Sequence, residues 1–243
     1  MRRAFRIVAA VLGVATIGLS LPFALGSLFS ETDAIHRFHF FSGAVGYGVL
    51  LGVSLIACAW RPELIGPFWV AVATGVASTV AGIVSGDFIS GVWFPAPIAI
   101  VVLFLLHPAR PAVFDIAGVD LPATILALAA LIPASAYALT QSELQRNGVP
   151  ADPHVDFHHY SGMAAYVFAV PLAAFAAALR VPGRRVAVWI VGVGMAGLAV
   201  SSLALSDYES AFDPLWAWLA LAWAAVYVAA GEYASARERV AVA

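Results

Sequence analysis

Two stretches of this chain carry a histidine beside an aromatic residue at the start of a long apolar run. FHFFSGAVGY begins at Phe38 and FHHYSGMAAY begins at Phe157. Neutral imidazole binds zinc, copper, iron and nickel, and it is also an axial ligand of haem. The spacing therefore predicts a site for a divalent transition metal or for haem b, held by His39 and His158.

The two stretches belong to an internal repeat with an offset of 119 residues. Identical residues at that offset are Phe38/Phe157, His39/His158, Ser42/Ser161, Gly43/Gly162, Tyr47/Tyr166 and Pro95/Pro214. Asp87 and Asp207 also fall at similar places, each shortly before one of these prolines. We expect a first four-helix repeat over residues 1–119 and a second over residues 120–243.

Further polar residues near the duplicated histidines complete the predicted site. Carboxylates either ligate metals directly or orient a ligating imidazole by hydrogen bonding to its other ring nitrogen. We therefore expect Asp87 and Asp207 to be metal ligands together with the histidines. The expected metal set is His36, His39, His158, His159, Asp87 and Asp207, and the residues expected to contact a bound solute are Ser42, Ser161, Tyr47 and Tyr166. His154 has Ile35 at the equivalent position, so we expect its replacement to matter less.

Helical spacing predicts which of these side chains lie together. His36 and His39 are three residues apart, and His154 and His158 are four apart, so each pair shares a face of a continuous helix. Ser161 does not form a serine-protease site, because no histidine follows His159 to act as its base. Helix packing or hydrogen bonding explains this serine better.

The composition requires that these residues be held by membrane helices. Hydrophobic residues make up 63% of the chain and charged residues 11%, whereas soluble domains carry about 25% charged residues. A bilayer span needs about 20 mostly apolar residues. The eight stretches expected to span are Ile7–Leu28, Phe38–Trp60, Ile65–Val84, Val92–Leu106, Leu121–Leu139, Phe157–Leu179, Val186–Leu205 and Pro214–Gly231.

Arginine placement predicts the orientation of these spans. With the N-terminus in the cytoplasm, ten of the twelve arginines lie inside, and only Arg37 and Arg146 lie outside. Both termini are then cytoplasmic in a multi-pass protein of the cell membrane. The first span resembles a signal peptide, but we expect it to be retained because the fifth span is its counterpart in the repeat.

The expected fold is all-α, with two parallel four-helix repeats related by a pseudo-twofold axis along the membrane normal. Each repeat has an even number of spans, so the second copy begins on the same side as the first. All the candidate histidines and aspartates then lie in one outer layer. Nine of the fourteen acidic residues also lie outside, among them Glu31, Asp33 and Glu209.

Charge and cysteine content exclude several other classes. A net charge of −2 without a basic cluster gives no reason to expect nucleic acid as a partner. The single cysteine, Cys58, excludes an internal disulfide and a cysteine-based zinc site.

The arrangement of two four-helix halves with paired histidines resembles the architecture of haem A synthases. That resemblance adds haem binding to the possible functions, but it assigns no residue of this chain to the haem. The fourth and eighth spans of this chain lack the outer histidine of that architecture, and the acidic motif of those enzymes is not recognisable here.

Three functions fit these observations. The first is binding or transport of a metal cation, proton or small polar solute at an outward site between the halves, which the repeat and the acidic outer face favour. The second is a membrane redox protein or metalloenzyme. The third is a non-catalytic subunit that contacts a membrane-protein partner or a second copy of itself.

Overall fold

The computed structural model of the chain describes residues 1–30, 34–88, 95–148 and 152–242, and these are helical with short connections. Seven of the helices are long and apolar enough to cross a membrane. We name the main helices α1 (Arg2–Ser27), α2 (Arg37–Trp60), α3 (Ile65–Ser85), α4 (Pro95–Leu106), α5 (Leu121–Asn147), α6 (His159–Ala178), α7 (Arg184–Ala204) and α8 (Pro214–Val242). The expected all-α, multi-pass membrane architecture is confirmed at this level.

Helix α4 is the shortest of the eight. Its 12 residues rise about 18 Å, less than the roughly 30 Å of a bilayer core. The expected start of this span at Val92 and the neighbouring Trp93 fall outside the described residues, as do Glu31 and Asp33. The structure thus gives seven spanning helices, and an eighth span stays a prediction.

Helix α6 is the centre of the bundle and the most buried of the seven spans. It packs along α3 and α5 and also contacts α2 and α7. Helices α1 and α8 lie at the periphery, where large apolar side chains such as Val14, Leu19 and Trp218 are exposed. Such a surface fits lipid rather than water as its surroundings.

Helix α2 contains a π-helical segment, Gly46–Val53, between two α-helical ends. A Cβ atom on Gly46 would lie 2.7 Å from the ring of Tyr166, so only glycine admits the close approach of α6. The rings of Tyr47 and Tyr166 then meet edge to face with centroids 4.6 Å apart. Wide turns of this kind are frequent near functional sites. Of the candidate histidines, His36 directly precedes α2 and His39 lies in its first turn.

The end of the bundle where α5 and α7 begin is fixed by a buried ion pair. Arg184, the first residue of α7, donates to Asp120 Oδ2 at 3.2 Å, and both side chains are buried. Asp120 also caps α5 by accepting the backbone N–H of Ala123 at 3.1 Å. The loop before α5 is further tied to the end of α6 by the hydrogen bond from Asp120 N–H to Ala178 O at 2.8 Å.

Candidate functional site

Three histidines converge where α2 and α6 begin. His36, His154 and His159 each present a ring nitrogen, and these nitrogens all lie within 4.8 Å of one another. His36 Nδ1 and His159 Nδ1 are 3.0 Å apart. Two imidazoles that bind one tetrahedral zinc ion hold their nitrogens about 3.3 Å apart, since each Zn–N bond is about 2.0 Å. The spacing of His36 and His159 therefore suits two ligands of one ion, and a small movement of a ring would bring the third nitrogen to the same distance.

Aromatic side chains hold the His36 ring within this cluster. His36 ends a short 3₁₀ turn, Ala34–His36, and is the residue that precedes α2. Its ring lies against Phe157 and Phe40, with centroids 5.3 Å and 5.8 Å away. His36 is only 6% exposed. A ring held so closely loses little further side-chain freedom when it binds a ligand.

The start of α6 directs two adjacent histidines to different partners. His158 has a left-handed backbone, with φ of 57°, a conformation in which histidine is enriched among non-glycine residues. This residue interrupts the helix between the short turn Pro153–Asp156 and α6. His154 and His158 thus lie on separate helical segments rather than on one continuous face, and the expected pairing at four residues' spacing is wrong.

Asp152 orients His154. Its Oδ1 accepts from the His154 backbone N–H at 2.9 Å and lies 3.0 Å from His154 Nδ1, while Tyr160 OH donates to Oδ2 at 3.2 Å. Partial burial alone would raise the pKa of the Asp152 carboxyl, but these hydrogen bonds outweigh it and hold the pKa below its usual range. A carboxylate behind an imidazole fixes the ring and increases its basicity toward a metal.

With Nδ1 held by the carboxylate, Nε2 is the nitrogen that His154 can offer to a ligand. It now lies 3.2 Å from the backbone oxygen of Ile35. Binding of a metal through Nε2 would replace that contact.

His39 is the fourth imidazole of this end of the molecule. Its ring stacks on that of His159, with centroids 4.8 Å apart, and lies 4.9 Å from that of His154. Ser210 Oγ donates to Gln141 at 2.7 Å, so it accepts from His39 Nε2–H at 3.3 Å. The buried His39 Nδ1 has no hydrogen-bond partner among the described residues and keeps its lone pair.

His158 lies in a separate group with Asp87 and Ser161. Gly86 ends α3 with φ of 75°, and the backbone N–H of Asp87 closes the last turn on Gly82 O at 3.0 Å. Asp87 Oδ2 then accepts from Ser161 Oγ at 2.6 Å and lies 3.1 Å from His158 Nδ1. The structure thus pairs His158 with Asp87, while His39 packs on His159.

The remaining expected site residues have different surroundings. Tyr47 OH is hydrogen bonded to Ser78 Oγ at 2.7 Å, and Tyr166 packs on the glycines of α2. Ser42 is buried in α2, and its hydroxyl has no hydrogen-bond partner among the described residues. Asp207 lies exposed in the connection between α7 and α8.

Of the residues expected from the sequence, His36, His39 and His159 lie together. His154 joins them although the repeat gave it little weight. The signal for His154 was local: the Asp152-Pro153 pair is typical of a capped first helical turn, which places the histidine that follows beside the capping carboxylate.

Comparisons with protein-family models, with curated proteins and with solved structures give no match for this chain.

Proposed function

We propose that this membrane protein binds a divalent transition-metal ion at its outer end through His36, His154 and His159. The observation that carries the proposal is the convergence of three ring nitrogens within 4.8 Å. An all-imidazole set suits zinc, copper, iron or nickel, and it does not suit magnesium or calcium, which prefer oxygen. His39, with its buried unpartnered nitrogen, is the nearest candidate for a fourth ligand.

The metal is captured from the outer side, either as cargo to be moved across the membrane or as a fixed ion. Capture is favoured by the exposed acidic residues of that face, Asp156, Asp207 and Glu209, which raise the local cation concentration. A haem between His39 and His158 has less support, because each of these rings already has its own neighbours.

The proposed orientation places both termini in the cytoplasm of a cell whose plasma membrane holds eight spans, including α4. Arginine distribution supports it. A topology reporter fused after Ala243 is expected to be active only in the cytoplasm, and activity on the outer side would overturn the assignment.

We also propose that residues 1–119 and 120–243 are parallel repeats about an axis along the membrane normal. The helix contacts support this: α1 packs on α2 as α5 packs on α6, and α3 contacts α6 as α7 contacts α2. Equivalent residues also meet each other, as they must near a twofold axis. Tyr47 touches Tyr166, and Ile35 O lies beside His154.

The metal site is tested by loading and titration of the purified protein. After chelation and dialysis, elemental analysis with zinc, copper, nickel and iron in turn should show one ion per chain for at least one of them. His36→Ala and His159→Ala should each reduce the affinity by at least about 100-fold, because a ligand bond is lost.

His158→Ala is the matched control, since this residue lies beside the cluster in sequence but pairs with Asp87. It should retain the metal. If His158→Ala and His39→Ala abolish binding while His36→Ala does not, or if the protein shows a Soret band that both variants remove, the duplicated pair is the site and our proposal is wrong. Uptake of the bound metal into proteoliposomes then decides between cargo and fixed ion.

A further inference from the structure

A second feature of the molecule lies away from the histidines, in the wall formed by α5, α6 and α8. A cavity of about 680 Å³ opens there, within the roughly 300–1,000 Å³ range of small-molecule sites. Pro133 of α5 and Pro171 of α6 both line it. A proline inside a helix removes one backbone hydrogen bond and distorts the preceding turn, which prevents close packing of these helices at this level.

Away from Asp213, three polar groups that border the cavity are already hydrogen bonded within the protein. Tyr137 OH donates to Ser210 O at 2.6 Å, and Trp223 Nε1 donates to Leu126 O at 2.9 Å. Thr140 Oγ1 donates to Ala136 O at 3.2 Å. A trapped water needs about two to four polar partners. Hydrocarbon is therefore a better occupant of this space than water.

The cavity is open to the surface that faces lipid. Ile132 and Trp216 on its rim are 77% and 54% exposed. From Asp213 at one end to Trp223 at the other, α8 rises about 15 Å, half of the roughly 30 Å hydrocarbon core. The space therefore matches one hydrocarbon chain of a single leaflet.

The polar end of the cavity is acidic. Asp213 lines it, and the exposed Asp207 and Glu209 lie in the connection that leads to it. Carboxylates repel the phosphate of an anionic lipid that carries no amine, and they attract an ammonium group. The charge pattern thus favours a zwitterionic headgroup.

We propose that this cavity binds one acyl chain of a zwitterionic phospholipid, with the ammonium headgroup beside Asp213. The assignment of the site to the outer leaflet rests on the orientation proposed above; the binding itself does not.

The cavity also lies next to the residue that holds His39. Ala211, Phe212 and Asp213 line the cavity, and Phe212 packs edge to face on Tyr137 at 5.2 Å. On the other side Ser210, held with φ of 69°, accepts from His39. The lipid site and the histidine cluster therefore share one short segment.

Photo-crosslinking tests this proposal on the full-length protein in nanodiscs with chelator present, so that the result is independent of metal binding. The probe is phosphatidylethanolamine with a diazirine in the middle of one acyl chain. Mass spectrometry should find labels on Met195 and Phe212, which line the cavity, as well as on exposed surface residues. Phosphatidylglycerol with the same label should mark Met195 at least about threefold less.

The matched variants are Ala130→Phe, which fills the cavity, and Leu128→Phe, which adds the same ring on the exposed lipid-facing surface two residues away. Ala130→Phe should reduce labelling of Met195 and Phe212 by at least about fivefold, and Leu128→Phe should leave it unchanged. If Ala130→Phe fails to fold, Met195→Phe is used instead, and the labelling of Phe212 is measured. The assignment would be overturned if the labels were confined to exposed residues or if the filling variants did not change them. It would also be overturned if a co-purified isoprenoid displaced the phosphatidylethanolamine probe.

Discussion

The two ends of this bundle treat some of their ionisable side chains in opposite ways. At the end where α5 and α7 begin, Arg184 faces Asp120, and Arg185 donates to Glu232 at 2.6 Å, so both of these cations have an anion. At the end where α2 and α6 begin, His154 and His158 each have a carboxylate partner, but His36 Nδ1 faces His159 Nδ1, and four imidazoles lie side by side. Complementary pairs are what a fold needs to bury charge.

Like groups that face one another do not serve that purpose. The pair His36 and His159 needs one ring to donate and the other to accept, whereas a cation would be bound by lone pairs from both. This difference separates an end held by structural ion pairs from the end at which we propose that a metal binds. It also makes predictions that differ between the two ends.

The largest expected effect is at the end where α5 and α7 begin. Asp120→Asn keeps an oxygen to cap α5 but removes the carboxylate that neutralises buried Arg184, and the free energy of unfolding in detergent should fall by about 3–5 kcal/mol. Denaturant titration of the purified protein measures this. Adding Arg184→Met should recover most of the loss, because the buried cation is then absent. In metal-free protein His36→Ala should cost less than Asp120→Asn; equal losses would remove the distinction between the two ends.

A smaller effect is expected for Asp152, which supports the cluster without joining it. Asp152→Asn should weaken metal binding by about 10–100-fold, since the carboxylate orients His154. Because the pKa of the Asp152 carboxyl is depressed in the folded protein, the group stays ionised at all pH values above the usual pKa of an aspartate, about 3.9. Its orienting effect on His154 should therefore persist throughout that pH range. Isothermal titration at neutral pH checks the affinity. Asp156→Asn, a neighbouring exposed carboxylate, is the control, and a similar loss there would point to general charge rather than orientation.

The smallest effect concerns His107, which follows the last residue of α4. It is 1% exposed, packed between Phe5 and Phe68, and burial lowers its pKa. The unfolded chain then binds a proton more readily than the folded protein, so stability should fall as the pH drops below about 6.5, by at most about 1.4 kcal/mol per pH unit. His107→Phe should make the stability less dependent on pH when both proteins are unfolded by denaturant at pH 7.5, 6.5 and 5.5. If the free energy of unfolding depended on pH as strongly in the variant as in the original protein, protonation of His107 would not be the cause of that dependence.

Much of the architecture follows from the sequence because it depends on composition and local signals. The apolar runs predicted the spanning helices, and Pro95 and Pro214 both begin helices as expected for the first helical turn. The repeat stays a prediction, although Tyr47 and Tyr166, which are 119 residues apart, do touch.

The membership of the histidine cluster could not be predicted in the same way. The 119-residue repeat predicted His39 and His158 as the site because both positions carry histidine. The cluster is instead formed by three histidines that have no histidine at the equivalent position of the other half. These are His36, His154 and His159, and the equivalent residues are Val155, Ile35 and Phe40. The left-handed backbone of His158 decides the outcome, because it turns that side chain toward Asp87 and the next one toward His36. Asp87 lies 71 residues away along the chain, and helical periodicity carries no information about such a contact.

The contact between α3 and α6 has a consequence for how the protein is made. Helix α3 ends at Ser85 and its main partner begins at His159, so at about 5–20 residues per second the ribosome takes several seconds to supply it. During that delay the polar hydroxyls on α3 must lie in lipid. Thr74 Oγ1 donates to Val70 O at 2.9 Å and Ser78 Oγ to Thr74 O at 2.9 Å, both within the helix itself. These two hydroxyls need no partner from a later helix, so the middle of α3 can wait in the bilayer without an unsatisfied hydroxyl donor. Only at the end of the helix does a hydroxyl of the described residues, Ser85 Oγ, donate to a later helix, at Ser142 Oγ 3.1 Å away.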